Sequence, residues 1–219
     1  KAEAGYLDVM EKHGSDQAIC KRVAEGLKDL YIAMNELDKI DELASQYACV
    51  SISADEKENL YYLPAIELYG DDTKSDVERY GGAIPKFEKY LEKFPTGRYK
   101  NDVQNYLADC HYILDHLDIA IPIYRETLEG PTTGFSELAA SRVSHYLYNE
   151  GSYAEVIPYY LLLTQISSKP EVVTNAEIGL MRSNFLTEKW SQSAIYADLV
   201  ISNSQTNNEL LLEAYYAKG

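Results

Sequence analysis

Apolar residues recur along this chain at three- and four-residue spacing, the signature of amphipathic helices, and almost nowhere in strict alternation. The only β-branched patch, Cys49 to Ile52, reads as a linker between helices. A longer period lies over the helical one. Tyr80-Gly-Gly-Ala-Ile-Pro-Lys-Phe87, Leu117-Asp-Ile-Ala-Ile-Pro-Ile-Tyr124 and Tyr153-Ala-Glu-Val-Ile-Pro-Tyr-Tyr160 align with one another, and Trp190-Ser-Gln-Ser-Ala-Ile-Tyr-Ala197 aligns with losses. Their leading residues stand at 80, 117, 153 and 190, in steps of 37, 36 and 37. An apolar landmark precedes three of them by ten residues (Leu107, Val143, Leu180), and the same interval joins Leu27 to Leu37. Each unit therefore holds two helices: the first carries the landmark, a short turn follows, and the second opens at the aromatic or leucine.

Turn chemistry agrees with this division. Asn149-Glu-Gly-Ser152 reads as a helix stop at glycine followed by a serine cap. Phe94-Pro-Thr-Gly97 and Gly130-Pro-Thr-Thr-Gly134 end second helices. Ser15-Asp16, Asp55 and Ser136-Glu137 mark helix starts, and prolines 85, 122 and 158 are expected in the first turn or so of second helices. Gly70-Asp-Asp-Thr-Lys-Ser-Asp76 reads as a polar surface insertion. Eleven or twelve helices, antiparallel in pairs, make an all-α chain. The units fall at 15–50, 55–95, 99–130, 136–168 and 172–204, with partial units at 1–13 and 207–219, in one solenoid spanning 1–219.

These units resemble the tetratricopeptide repeat. Tyr80, Ala83-Ile84, Phe87, Leu91 and Pro95 match its second helix; Leu117, Ala120-Ile121, Tyr124 and Leu128 match well, and Tyr153, Val156-Ile157 and Tyr160 match in part. The resemblance implies a right-handed superhelical solenoid. Two departures stand out: the period exceeds the family's 34, and Ala108, Ser144 and Met181 replace its first-helix glycine, which implies looser packing within a unit. Tyr90-Leu-Glu-Lys-Phe-Pro-Thr-Gly-Arg-Tyr99 further resembles a segment of bacterial envelope tetratricopeptide proteins, among them the outer-membrane assembly lipoprotein and the periplasmic partner of the Tol–Pal system. The 20 tyrosines are similar in texture to secreted repeat proteins of Bacteroidetes. That resemblance implies a periplasmic or envelope location, with the cytoplasm as the alternative.

Charge narrows the partners. The net charge is −15, with 21 acids and 14 bases over residues 1–102 and 14 acids and 6 bases over 103–219. A chain so evenly acidic repels phosphate backbones and anionic lipid, so no nucleic acid is expected. No apolar run approaches the ~20 residues of a membrane span, so no membrane insertion is expected. The three cysteines, Cys20, Cys49 and Cys110, form no C-x-x-C and lie in apolar patterns, so buried free thiols are expected and the redox compartment stays open. The chain starts at Lys1 without a signal-like segment, and both ends read as half-units of a longer array. Apolar end residues, including Leu210-Leu-Leu212 and Tyr215-Tyr216, lead us to expect self-association.

Chemistry-bearing motifs are few. No phosphate loop, zinc helix, nucleophile elbow or dinucleotide fingerprint occurs. His111 and His116 stand five apart, on different sides of a helix, and no metal or other cofactor is expected. Catalysis is not expected. In the tetratricopeptide fold the first helices line a concave groove at positions two before, two after and five after the landmark. Transferred here, these are Asn105, Asp109 and Tyr112; Ser141, His145 and Tyr148; and Ile178, Arg182 and Phe185. The N-terminal unit adds Glu25, Asp29 and Ile32. The third residue of each set would form a ladder for a bound peptide, or would pack on the neighbouring first helix. The resulting expectation is a non-catalytic scaffold that takes a protein or peptide segment in this groove, in envelope assembly. A glycan-binding or spacer segment is the alternative.

Overall fold

The computed structural model describes residues 1–34, 36–203 and 207–219. Among them twelve helices and no strand occur: α1 Ala2–His13, α2 Gln17–Ala33, α3 Asp38–Gln46, α4 Ala54–Gly70, α5 Asp76–Lys93, α6 Lys100–Ile113, α7 Leu117–Glu129, α8 Ser136–Asn149, α9 Tyr153–Ile166, α10 Pro170–Leu186, α11 Trp190–Ser202 and α12 Asn208–Lys218. The chain forms two compact units, Lys1–Val103 and Gln104–Gly219. The expected end of a repeat at residue 204 lies outside the described residues.

In the first unit α1 packs on α2, α2 on α3 and α4 on α5. Asp16 caps α2 by accepting from the amides of Ala18 and Ile19. Ser53 and Ser75 open α4 and α5 with reciprocal capping boxes to Glu56 and Glu78. The second box changes the sequence reading. It starts α5 at Asp76, so residues 76–79 before Tyr80 are already helix while 71–75 form the turn, and Pro85 is the tenth residue of α5 rather than part of its first turn. Pro122 and Pro158 are the sixth residues of α7 and α9, so these too lie inside the helix and each removes one ladder hydrogen bond.

The cysteines differ from expectation as well. Cys20 of α2 and Cys49, in the segment after α3, form a disulfide with Cα atoms 6.1 Å apart; Cys110 lies outside that bridge and is buried. The pairing was hidden in the sequence because Cys49 lies beyond the helical pattern, where the chain folds back onto α2.

The second unit is the more regular. Each helix from α7 to α12 packs on its neighbours in chain order, and α10 also touches α12. This is the one-dimensional stacking of a repeat array. Its turns repeat too. Asp115, Gly151 and Glu188 adopt positive φ (63°, 74° and 59°), in steps of 36 and 37, two residues before α7, α9 and α11. At each, the following amide reaches back five residues: His116 to His111 (2.8 Å), Ser152 to Leu147 (2.9 Å) and Lys189 to Asn184 (2.8 Å). The residue itself reaches back three, to Tyr112, Tyr148 and Phe185. These are three copies of the Schellman stop, of which only one has glycine at the left-handed position. The turn also returns His116 to His111, their Nδ1 atoms 3.2 Å apart, so the two rings meet instead of diverging. Ala108, Ser144 and Met181, where looser packing was expected, are all buried.

Candidate functional site

The first helices of the second unit carry the expected groove residues, and the structure sorts them by repeat. On α6, Asn105 and Asp109 are buried. The Thr127 hydroxyl donates to Asn105 (3.0 Å). Asp109 accepts from the Tyr124 hydroxyl and from Nη2 of Arg142, each at 3.1 Å. The Arg142 guanidinium lies 4.3 Å from the centre of the Tyr112 ring, and Tyr112 meets Tyr124 edge-on, centroids 6.2 Å apart at 66°. Burial, followed by the Asp109 charge, pushes the Tyr124 hydroxyl far above its ordinary range. This corner is closed by its own arginine.

One repeat on, the corner is open. Tyr148 and Tyr160 stand 36 residues after Tyr112 and Tyr124 and keep the same edge-on pairing, 6.5 Å and 64°. Here a cleft of about 600 Å³ opens between α8, α9, α10 and α12. Tyr148, Tyr160, Ile178, Arg182, Glu209 and Glu213 line it, with Asn175 and Asn207 at its polar margin. Gly179 forms part of the wall, and a Cβ there would collide with the Tyr160 ring, so glycine is what lets the ring lie against α10. Burial pushes the Tyr160 hydroxyl up to about 12 and also raises that of Tyr148.

Arg182 crosses the cleft to Glu213 in a two-pronged pair, Nε to Oε1 at 2.6 Å and Nη2 to Oε2 at 2.7 Å. Glu209 lines the cleft one turn before Glu213 and has no hydrogen-bond or ion-pair partner among the described residues. Phe185, the third expected groove residue of α10, packs its ring against Trp190 (5.0 Å) and Tyr216 (5.5 Å) beside the cleft.

Of the nine expected residues, the cleft gathers Tyr148, Ile178 and Arg182. Ser141 is half-buried on α8, and His145 is exposed, its Nε2 3.0 Å from Nδ2 of Asn149. Neither lines the cleft. In the first unit Glu25, Asp29 and Ile32 are exposed on α2. Tyr160, Glu209 and Glu213 were missed: Tyr160 reads as core from its spacing, and the two glutamates lie on α12, where no ten-residue landmark pair exists to number from.

Electrostatically the unit is short of cations. Of its six bases, Arg125, Arg142, Lys169, Arg182 and Lys218 are paired with Glu155, Asp109, Glu137, Glu213 and Asp198 at 2.6–3.1 Å, against fourteen acids in all. Among the described residues no cluster of three His, Cys, Asp or Glu could hold a metal ion, and no helix is long and apolar enough to cross a membrane.

No protein-family model matches the chain, and no curated protein matches it. Among solved structures it is similar to YrrB, described as a TPR protein with an unusual peptide-binding site. The two share 20% sequence identity at a TM-score of 0.45, over 99% of this chain and 100% of that one.

Proposed function

We propose that this chain is a non-catalytic scaffold that holds an extended peptide or protein segment in the cleft of its second unit, and that it does so in bacterial cell-envelope assembly. The observation that carries the first part is the cleft itself: a concave site of about 600 Å³ with tyrosine walls and one arginine, built on the first-helix faces that such arrays use for recognition. Tyrosine and arginine are the side chains that most often anchor protein interfaces. The Cys20–Cys49 bridge supports the compartment, because a disulfide that staples a domain persists where the surroundings are oxidising, as in the periplasm. Leu212, Tyr215 and Tyr216, all well exposed on α12, support self-association at that end as a secondary property.

The test is selection from a displayed library of random ten-residue peptides by the wild-type chain and by a Tyr148→Ala/Arg182→Ala variant of unchanged helicity. Peptides enriched by the first and lost by the second are expected. Equal enrichment by both removes the cleft from the binding surface.

A further inference from the structure

The two tyrosine corners of the second unit differ at one position. Arg142, which lies over Tyr112 and donates to Asp109, stands one residue before the landmark Val143; one residue before the next landmark, Leu180, stands Gly179. The step between landmarks is 37, and so is the step from Arg142 to Gly179. In the first corner the chain supplies its own guanidinium to the ring of Tyr112. In the second the ring pair is kept at nearly the same distance and angle and Tyr153 meets Tyr148 edge-on at 5.3 Å, yet among the described residues no cation stacks on the Tyr148 ring, Arg182 being turned to Glu213, and the cleft opens there.

From this we propose that the ligand supplies the missing group: a peptide segment bearing an arginine or lysine, whose cation lies against Tyr148 as Arg142 lies against Tyr112. The proposal rests on the peptide-cleft reading above and names the chemistry of its ligand. Charge complementarity favours it over an acidic segment. Arg182, the one cation among the described residues that line the cleft, already gives two of its five donors to Glu213, and that carboxylate offsets its charge towards an incoming acid. The acid would also face Glu209, which has no partner among the described residues. An incoming cation meets the opposite situation: an aromatic face, the exposed carboxylate of Glu209, and a unit with fourteen acids against six bases.

The test is fluorescence anisotropy with three labelled ten-residue peptides alternating leucine with arginine, with citrulline (the same shape without the charge) or with glutamate. The arginine peptide is expected to bind at least tenfold more tightly than the citrulline peptide, with affinity falling as salt rises. Tyr148→Leu and Glu209→Gln should each weaken it severalfold, and Glu126→Gln, an equal charge change at an exposed position outside the cleft, should not. Melting of each variant checks that the fold is kept. Equal binding of arginine and citrulline peptides, still dependent on Tyr148, overturns the cation while the peptide cleft stands. Equal loss from Glu126→Gln and Glu209→Gln overturns it too, by reducing the effect to overall acidity. Binding of an oligosaccharide panel in a Tyr148-dependent way, with no peptide bound, overturns both readings.

Discussion

The two units are built from the same element, a pair of helices joined by a short turn, and are held together differently. The first relies on bonds between residues far apart in sequence. Cys20 is bridged to Cys49. Asp38 at the start of α3 accepts from the Tyr61 hydroxyl (2.9 Å) and from the ammonium groups of Lys89 (2.7 Å) and Lys93 (2.8 Å). Buried Glu58 of α4 accepts from the Tyr90 hydroxyl of α5 and lies 3.4 Å from the amide of Tyr99, where the chain leaves α5. The second unit has clasps of similar reach, Arg142 to Asp109 and Arg182 to Glu213, but each joins one repeat to the next, and close approach accompanies them. Ala108, Ala120, Ala139, Ala140, Ala176, Ala197 and Ala214 are all essentially inaccessible, so backbones meet with little between them. Contacts and turns that recur from repeat to repeat build a regular array; clasps made once build an irregular one. A cleft can then open where the regular unit drops one side chain from its pattern.

The disulfide separates the two units most sharply. Closing a loop across 29 residues restricts the unfolded chain by roughly 3–4 kcal/mol. Reduction, or a Cys20→Ala/Cys49→Ala variant, should therefore lower the stability of the first unit by about that amount. Hydrogen exchange read by mass spectrometry should show faster exchange throughout α2–α5 and unchanged protection in α8–α11. Loss of protection in both would show that the units do not unfold separately.

Next comes the corner after α5. Gly97 is packed so that an added Cβ would meet Glu58 Oε1 and the Tyr90 hydroxyl at 2.5 Å and Cβ of Phe94 at 2.8 Å. Tyr62 stacks on Tyr99 beside it, centroids 3.9 Å apart. Gly97→Ala must break the Glu58 clasp, at a cost of roughly 2–3 kcal/mol. Gly134→Ala, with open space around it, should change stability by less than about 0.5 kcal/mol. Urea denaturation of both variants decides. This corner is the segment whose sequence resembles envelope proteins, and packing accounts for its Tyr90, Phe94, Gly97 and Tyr99 positions here.

What could be read from the sequence follows the same division. The second unit was legible because its information is local. The aromatic at each second helix, the landmark ten residues earlier and Gly151 between them are all visible within a 15-residue window. Asp115 and Glu188 occupy the same left-handed position without the glycine that would mark it in the sequence. In the first unit the Ser75-x-x-Glu78 box was there to be read and would have moved the start of α5 to Asp76. The Cys20–Cys49 and Asp38–Lys89 contacts could not be read, since nothing local encodes a partner 29 or 51 residues away. The site divides likewise. Repeat numbering reached Tyr148, Ile178 and Arg182, but it gave the same weight to Asp109, which Arg142 closes off. That distinction needed the position of a neighbouring arginine.

A third prediction concerns pH. Hydrogen bonds from Lys89, Lys93 and Tyr61 hold the Asp38 carboxyl well below its ordinary range. Its folded value is thus below its unfolded one, so its contribution is complete above about pH 4 and is lost as pH falls through the lower folded value. The side chain is half exposed, which screens the effect to about 1 kcal/mol. The first unit should lose stability in this acid window, and Asp38→Asn should remove that part of the slope without touching the second unit. An unchanged slope in the variant would mean that the clasp contributes nothing.

The repeated turns of the second unit respond to a gentler change. If the second unit is built by a repeated local rule, improving the rule at one copy should stabilise it without any long-range adjustment. Glu188 is exposed and holds φ at 59°, a conformation that disfavours an L side chain by about 1–2 kcal/mol. Glycine removes that strain, but it also widens the unfolded ensemble by about 0.5–1 kcal/mol. The difference leaves Glu188→Gly more stable by about 0.5 kcal/mol. Gly151→Ala, the same change reversed at the equivalent turn, should be less stable by about 1 kcal/mol. Both are measurable as shifts in the urea midpoint at constant slope. Opposite signs at the two turns would show that they are one motif; the same sign at both would mean that each turn is set by its own surroundings, as the clasps of the first unit are.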